Sequence, residues 1–209
     1  MMVHTNTSST LQAMITVKQL SFGYTRRRNI FDSLSLELPK GSIVGLLGRN
    51  GEGKTTLLKL LYGQLLRRQG ELKVLDADPK HRAVSFLQQV YLLPEEFQVP
   101  PISIRSFFDI SAPFYPNYDE AVAKELIDTF GLQWDMNLKK ISQGQKKKAL
   151  IAFALSLRVP LLLLDEPTNG LDIPSKGEFR RTVARYTTDE QTIIISTHQV
   201  RDLEQLIDR

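Results

Sequence analysis

Ser42 to Tyr62 reads SIVGLLGRNGEGKTTLLKLLY. Its opening is apolar almost throughout, the composition of a parallel strand covered on both faces. KTTLLKLLY continues as a helix, and between the two GRNGEGKTT, Gly48 to Thr56, fits G-x-x-x-x-G-K-[ST]. A strand before and a helix after is the context in which that spacing cradles phosphate. Glycines let successive backbone N–H groups curl around phosphate oxygens, and the helix start adds the positive end of its dipole. Lys54 reaches the terminal phosphates, and Thr55 offers its hydroxyl to Mg²⁺. Gly48, Asn50, Gly51, Gly53, Lys54, Thr55 and Thr56 are the first candidate ligands. The plain alternative is a glycine-rich turn.

VSFL (Val84 to Leu87), LLLLD (Leu161 to Asp165) and TIIIS (Thr192 to Ser196) share the character of that strand. Buried parallel strands with helices between them predict a layered α/β core built on a phosphate-loop NTPase plan. MITVKQLSFGY and SLSLELPKG alternate instead, as half-exposed antiparallel strands at one edge do. From Pro94 to Arg158 the spacing is helical, with Ala121, Val122, Leu126, Ile127 and Phe130 recurring after Asp119 as a cap. The expected organisation is a disordered tail over 1–13, rich in Ser and Thr, and one domain over 14–209. In it 14–93 and 159–209 make the mostly parallel α/β core with its antiparallel edge, and 94–158 an inserted α-helical subdomain.

Composition narrows the functional classes. Of 209 residues 42% are hydrophobic and 24% charged, ordinary for a globular chain. The net charge of +4 is small, and its tight clusters, Arg26–Arg28 and Lys146–Lys148, lack the aromatic companions of a nucleic-acid platform. No nucleic-acid partner is expected. Without cysteine there is no disulfide and no thiolate metal site. No apolar run reaches the ~20 residues that cross a bilayer, and the N-terminal residues lack the apolar segment of a signal peptide.

LLLLDEPTNGLD, Leu161 to Asp172, supplies the second half of a site. A carboxylate at the end of a buried strand is costly unless it meets a cation, so Asp165 is a partner for magnesium, through water. Glu166 points elsewhere because side chains alternate at a strand end, and is the candidate base for an attacking water. His198 follows TIIIS at the carboxyl edge, where ligands of open α/β sheets bind, and is a candidate contact of a γ-phosphate. The bland readings are a polar strand cap and a surface histidine. ISQGQKKKAL, Ile141 to Leu150, opens a helix with three lysines although a helix start already carries about half a positive charge. Either the lysines are solvated or an anion docks there.

Together these residues resemble the ATP-binding subunit of an ABC transporter, over nearly the whole chain from Ile15 and with the motifs in the family's order. The resemblance implies that Tyr24 of FGY stacks on adenine. It makes Gln89 of FLQQ the glutamine that touches Mg²⁺ and the water, at the junction with the helical subdomain. ISQGQ stands where LSGGQ is usual, NGLD with Asp172 is the dimer-contact segment, and His198 is the switch histidine. FYPNYD and ISQGQKKK are most similar to single-domain ATPases of small bacterial exporters.

The resemblance also implies a mechanism. Two ATPase subunits, identical or different, sandwich two ATP molecules head to tail, each held by one phosphate loop and the other subunit's LSGGQ-type helix start. Ser142, Gly144 and Gln145 then serve the partner's ATP. Closure drives multi-span membrane permease subunits, and hydrolysis with Glu166 as base, supported by Lys54, Gln89 and His198, reopens the sandwich. Such a protein is cytoplasmic and peripheral on the inner face of the cell membrane.

Two features depart from the family pattern. Gln143 replaces the first glycine of the pair, a strain of about 1–3 kcal/mol if that position needs positive φ. LEQLIDR ends the chain where relatives continue into a further strand and a glycine turn, which implies a truncated end or an absent edge strand. Competing classes are a soluble ABC ATPase acting on ribosomes or DNA, a small-molecule kinase, and a module that holds ATP without hydrolysing it. The first usually carries two cassettes or a very long coiled coil, and the second leaves NGLD and ISQGQ unexplained.

Overall fold

The structure, a computed structural model, describes residues 2–4, as backbone, and 13–200. In chain order the elements are β1 (Met2–His4), β2 (Ala13–Phe22), β3 (Phe31–Pro39), β4 (Ile43–Leu47), α1 (Lys54–Leu61), β5 (Gln69–Val74), α2 (Val84–Leu87) and β6 (Val90–Leu93). Then come α3 (Ile104–Ser111), α4 (Glu120–Thr129), α5 (Gln143–Ser156), β7 (Leu161–Asp165), α6 (Ile173–Tyr186) and β8 (Thr192–Thr197).

β4, β8, β7 and β6 lie side by side in that order, all parallel, and β1 adds antiparallel to the other edge of β4. Every residue of β7 and β8 is buried, because these strands separate two cores. Leu161, Leu163 and Ile194 face one, while Leu162, Leu164, Ile193 and Ile195 face the other. Alternate side chains point to opposite faces, so a strand covered on both sides is apolar throughout. The first core is closed by α1 and by a second, antiparallel sheet in the order β3-β2-β5. The second is closed by α3, α4, α5 and α6, with Phe108, Leu126, Phe153 and Phe179 in its centre. α5 is buried continuously from Ala149 to Ser156, which is why its sequence shows no amphipathic stripe.

Between β6 and β7 the described chain is helical, as expected, and α4 begins at Asp119, whose side chain accepts from the Val122 N–H at 3.0 Å. Ala123 rather than the exposed Ala121 completes its buried face with Leu126 and Ile127.

The structure adds to or departs from the sequence reading at three places. VSFL is not a strand but the short helix α2, with Phe86 buried and Val84 72% exposed. The parallel strand is VYLL, β6, six residues on. Period alone does not separate a short apolar strand from a turn of helix. Strand β5, QGELKV, escaped sequence reading because only Leu72 and Val74 are buried. It is a charged edge strand recruited by β2. The disordered tail expected over 1–13 lies mostly outside the described residues, but Met2–His4 pair with β4 and Ala13 opens β2. The C-terminal LEQLIDR also lies outside them.

Candidate functional site

The parallel strands end together. Asp165 pairs in register with Ser196 and Leu47 with Thr197, so the segments after β4, β7 and β8 open on one side of the sheet. The loop after β4 needs a backbone that turns sharply, and Gly51 (φ 88°) and Gly53 (φ 97°) adopt the left-handed conformation that glycine adopts without steric cost. A Cβ on Gly53 would also sit 2.7 Å from the Ile30 side chain. The loop delivers its N–H groups to the start of α1. Asn50, Gly51, Gly53, Lys54, Thr55 and Thr56 line a cleft of about 420 Å³ together with Tyr24, Glu95 and Glu166. Gly48 contributes its carbonyl, which accepts from Lys54 Nζ at 2.7 Å.

Lys54 is buried, and its ammonium also lies 3.4 Å from Glu166 Oε1. Tyr24 stands at the cleft's mouth, edge-on to Phe22 with ring centroids 5.2 Å apart, its hydroxyl 3.2 Å from that of Thr56. Its ring is left 61% exposed, free to receive a flat group. Glu52 folds back over the loop and accepts from the Arg49 N–H at 2.9 Å.

At the end of β7, Ser196 is the hub. Its hydroxyl donates to Asp165 Oδ1 at 2.5 Å and accepts from the Glu166 N–H at 3.0 Å, while its carbonyl accepts from the same N–H at 3.1 Å. Glu166 carries a positive φ of 45°, a conformation that costs a residue with a Cβ about 1–3 kcal/mol. The turn sends its side chain into the phosphate-loop cleft, where Oε2 meets His198 Nδ1 at 3.0 Å. Oε1 is buried and has no hydrogen-bond partner. A buried carboxylate oxygen that faces a lysine without a hydrogen bond retains an acceptor site that a water would satisfy. The Thr55 hydroxyl on the cleft wall and the Asp165 carboxylate at the strand end fit the oxygen donors that Mg²⁺ takes alongside phosphate.

Gln89 is not part of this arrangement. It precedes β6, at the amino end of the sheet: its carbonyl accepts from the Leu161 N–H at 3.1 Å and its side chain turns back to the Ser85 carbonyl at 2.8 Å. The residue at the carboxyl end of β6 is Glu95, which lines the cleft and accepts from Asn169 Nδ2 at 2.7 Å. The misplaced strand hid it; with VYLL read as the strand, Pro94-Glu95 falls beside the phosphate loop. Ser196 was hidden within an apolar run, its signal being the register that sets it opposite Asp165.

Ser142, Gly144, Gln145 and Asp172 do not line the cleft of their own chain. Ser142 and Gln145 form a reciprocal cap on α5, each side chain accepting from the other's N–H at 3.1 Å. Asp172 caps α6 by accepting from the Ser175 N–H at 3.0 Å, and the Ser175 bonds hold its carboxyl below the usual range. Gln143 is the first residue of α5 and has no positive φ, so the strain considered for it does not arise. Gly144 is also unstrained, and a Cβ there would meet only Leu171 and Ser142 atoms at 4.0 Å. Nothing among the described residues requires a glycine at that point. The three lysines separate: Lys147 is buried, and Lys148 pairs with Glu178 at 3.0 Å.

Residues 31–169 match the family described as ABC transporter. The chain is 28% identical over 197 residues to the ABC transporter ATP-binding protein YtrB of Bacillus subtilis, covering 94% of this chain and 67% of that one. It is 30% identical over 205 residues to the bacitracin transport ATP-binding protein BcrA of Bacillus licheniformis, covering 95% and 66%. The chain thus spans about two thirds of the length of these relatives. The solved structure of an ATP-binding subunit of an ABC transporter superposes with a TM-score of 0.82 at 26% identity, over 92% of this chain and 82% of that one. A putative ABC transporter ATP-binding protein from Pyrococcus furiosus shares the fold, with a TM-score of 0.76 at 24% identity over 88% and 91%. Among the described residues no helix is long and apolar enough to cross a membrane.

Proposed function

The chain belongs to the ABC transporter family of ATP-binding proteins, a family of ATPases, and from that premise we propose that it is the ATP-hydrolysing motor subunit of a transporter whose membrane spans lie on other polypeptides. The observation that carries this reading is the buried Glu166 carboxylate after β7, with Oε1 facing the phosphate-loop lysine Lys54 but making no hydrogen bond, and Oε2 against His198. The loop amides and Lys54 bind the phosphates, and the exposed face of Tyr24 receives the adenine. Thr55 and Asp165 hold magnesium, which when bound supplies positive charge against the phosphate oxygens. Glu166 Oε1 takes the proton of an attacking water while His198 keeps the carboxylate turned toward it.

The second half of each site comes from another subunit, the same chain or a paralogue. Gly144 supports this, since the space beside it is not used by its own chain, and Leu171 of NGLD is its neighbour, so both motifs share one face. The multi-span permease is the remaining partner, which sets the subunit on the cytoplasmic face of the membrane.

The test is phosphate release from Mg-ATP by the purified chain. Glu166→Gln is expected to lower turnover by about 10²–10⁴, the contribution of a general base. Turnover within tenfold of the parent sinks the assignment. Copurification with membranes through a permease tests the transport half.

A further inference from the structure

Lys147, on the first turns of α5, is only 5% exposed, and its ammonium rests on carbonyls rather than carboxylates. Nζ donates to the Glu166 carbonyl at 3.0 Å and to the Glu95 carbonyl at 3.3 Å, with the Phe97 ring centroid at 5.8 Å. Burial pushes the ammonium's affinity for its proton down, and the carboxylates of Glu95, Asp165 and Glu166 offset this in part. A buried cation without a contacting carboxylate is costly, so the role of its two acceptors matters.

Both acceptors follow parallel strands, Glu95 after β6 and Glu166 after β7. At Glu166 the bonding is two-sided: Ser196 holds its N–H, while Lys147 at 3.0 Å and the Asn169 N–H at 3.1 Å share its C=O, on either side of the left-handed φ that aims the carboxylate. At Glu95 the side chain lines the phosphate-loop cleft. One ammonium therefore joins the helix that begins ISQGQ to both segments that carry acidic side chains into the cleft.

We infer that Lys147 is a positioning residue, tying the start of α5 to the Glu166 and Glu95 turns so that a shift of this helix start is transmitted to the Glu166 carboxylate. The inference rests on the ATPase reading for its consequence, but not for its geometry. The experiment compares parent, Lys147→Met and Lys147→Arg, reading the ring NMR signals of His198 in nucleotide-free protein and then steady-state ATP hydrolysis.

With Met the His198 signals should move, because the Glu166 turn loses its tie to α5 and keeps only the Asn169 N–H on its carbonyl, while those of His81 stay in place as an internal reference. Turnover should fall at least tenfold with KM for ATP within twofold of the parent, and Arg, which keeps donors for the carbonyls, should restore it to within about threefold. Unmoved His198 signals with turnover within twofold in folded Lys147→Met overturn the inference. If Met is not accommodated, Lys147→Gln, which keeps a donor for one carbonyl, must shift His198 and lower turnover; parental values in that variant overturn it equally. A parent without ATP turnover sinks the ATPase reading instead, and the His198 signals, read without nucleotide, still decide the role of Lys147.

Discussion

The two ends of the parallel sheet treat buried polar groups in opposite ways. At the amino end they close on the backbone: Gln191 Nε2 donates to the Val159 carbonyl at 2.9 Å and the Thr192 N–H to the Pro160 carbonyl at 2.8 Å, while the exposed Gln89 turns back to Ser85. At the carboxyl end a glutamate sits in a left-handed turn with one oxygen facing Lys54 but lacking a hydrogen bond, and a lysine is buried against two carbonyls. The same chain, with the same apolar strands between, ties these amides to backbone at one end, where the Tyr186 hydroxyl lacks a hydrogen bond, and leaves the catalytic-side glutamate unfinished at the other. An unpaired buried polar group costs about 1–3 kcal/mol. At Glu166 that cost falls on a residue already in a left-handed turn, so backbone strain and an incomplete hydrogen-bond set coincide at the proposed base.

Substitutions can break this comparison. The largest effect is expected at the start of α5, on the unfinished side. Gly144→Asp in the Glu166→Gln background should abolish ATP-driven dimerisation, measured by size-exclusion chromatography with ATP, and leave monomer affinity within about threefold. Dimers that persist would show that the open space at Gly144 serves no partner.

Next comes Ser196→Ala, which releases Asp165 and the Glu166 N–H together. Turnover should fall about tenfold through misplacement of the carboxylates, with KM for ATP changed less than threefold. A parental rate would mean that Lys147 and His198 suffice to hold Glu166.

The amino end should respond in stability alone. Gln191→Ala leaves the Val159 carbonyl unpaired, a cost of about 1–3 kcal/mol. In a domain of this size that lowers Tm by roughly 2–4 °C for each kcal/mol, with ATP turnover unchanged. Smallest of all is Gln89→Ala, whose turnover should stay within twofold of the parent. A tenfold loss there would place Gln89 at the site after all and erase the difference between the two ends.

Legibility in the sequence followed the same division. GRNGEGKTT, LLLLD and TIIIS announced themselves because burial on two faces and tight phosphate binding each demand particular residues at successive positions. VSFL misled for the complementary reason. A short, mostly apolar run satisfies a turn of helix as well as a strand, and the error put the residue expected at the junction with the helical subdomain at Gln89 instead of after VYLL, where Glu95 lines the cleft. QGELKV could not be seen as a strand, since its pairing with β2 is what makes it one. Lys147 looked like one of three equivalent charges, and the chain supplied no local cue that it alone would be buried.

The sequence by itself determined the phosphate loop, the apolar strands and the acidic pair after LLLLD, because in each the chemistry is local: backbone turn, two-sided burial and charge lie within a few residues. The tertiary structure alone decided which strand ends meet, and so placed Glu95 and not Gln89 in the cleft. It also turned Ser196 into a hub, buried Lys147 against two carbonyls, and left Glu166 Oε1 without a hydrogen bond. Those are properties of register and burial between segments far apart in the chain, and hydrogen bonds are completed or left open only when the segments pack.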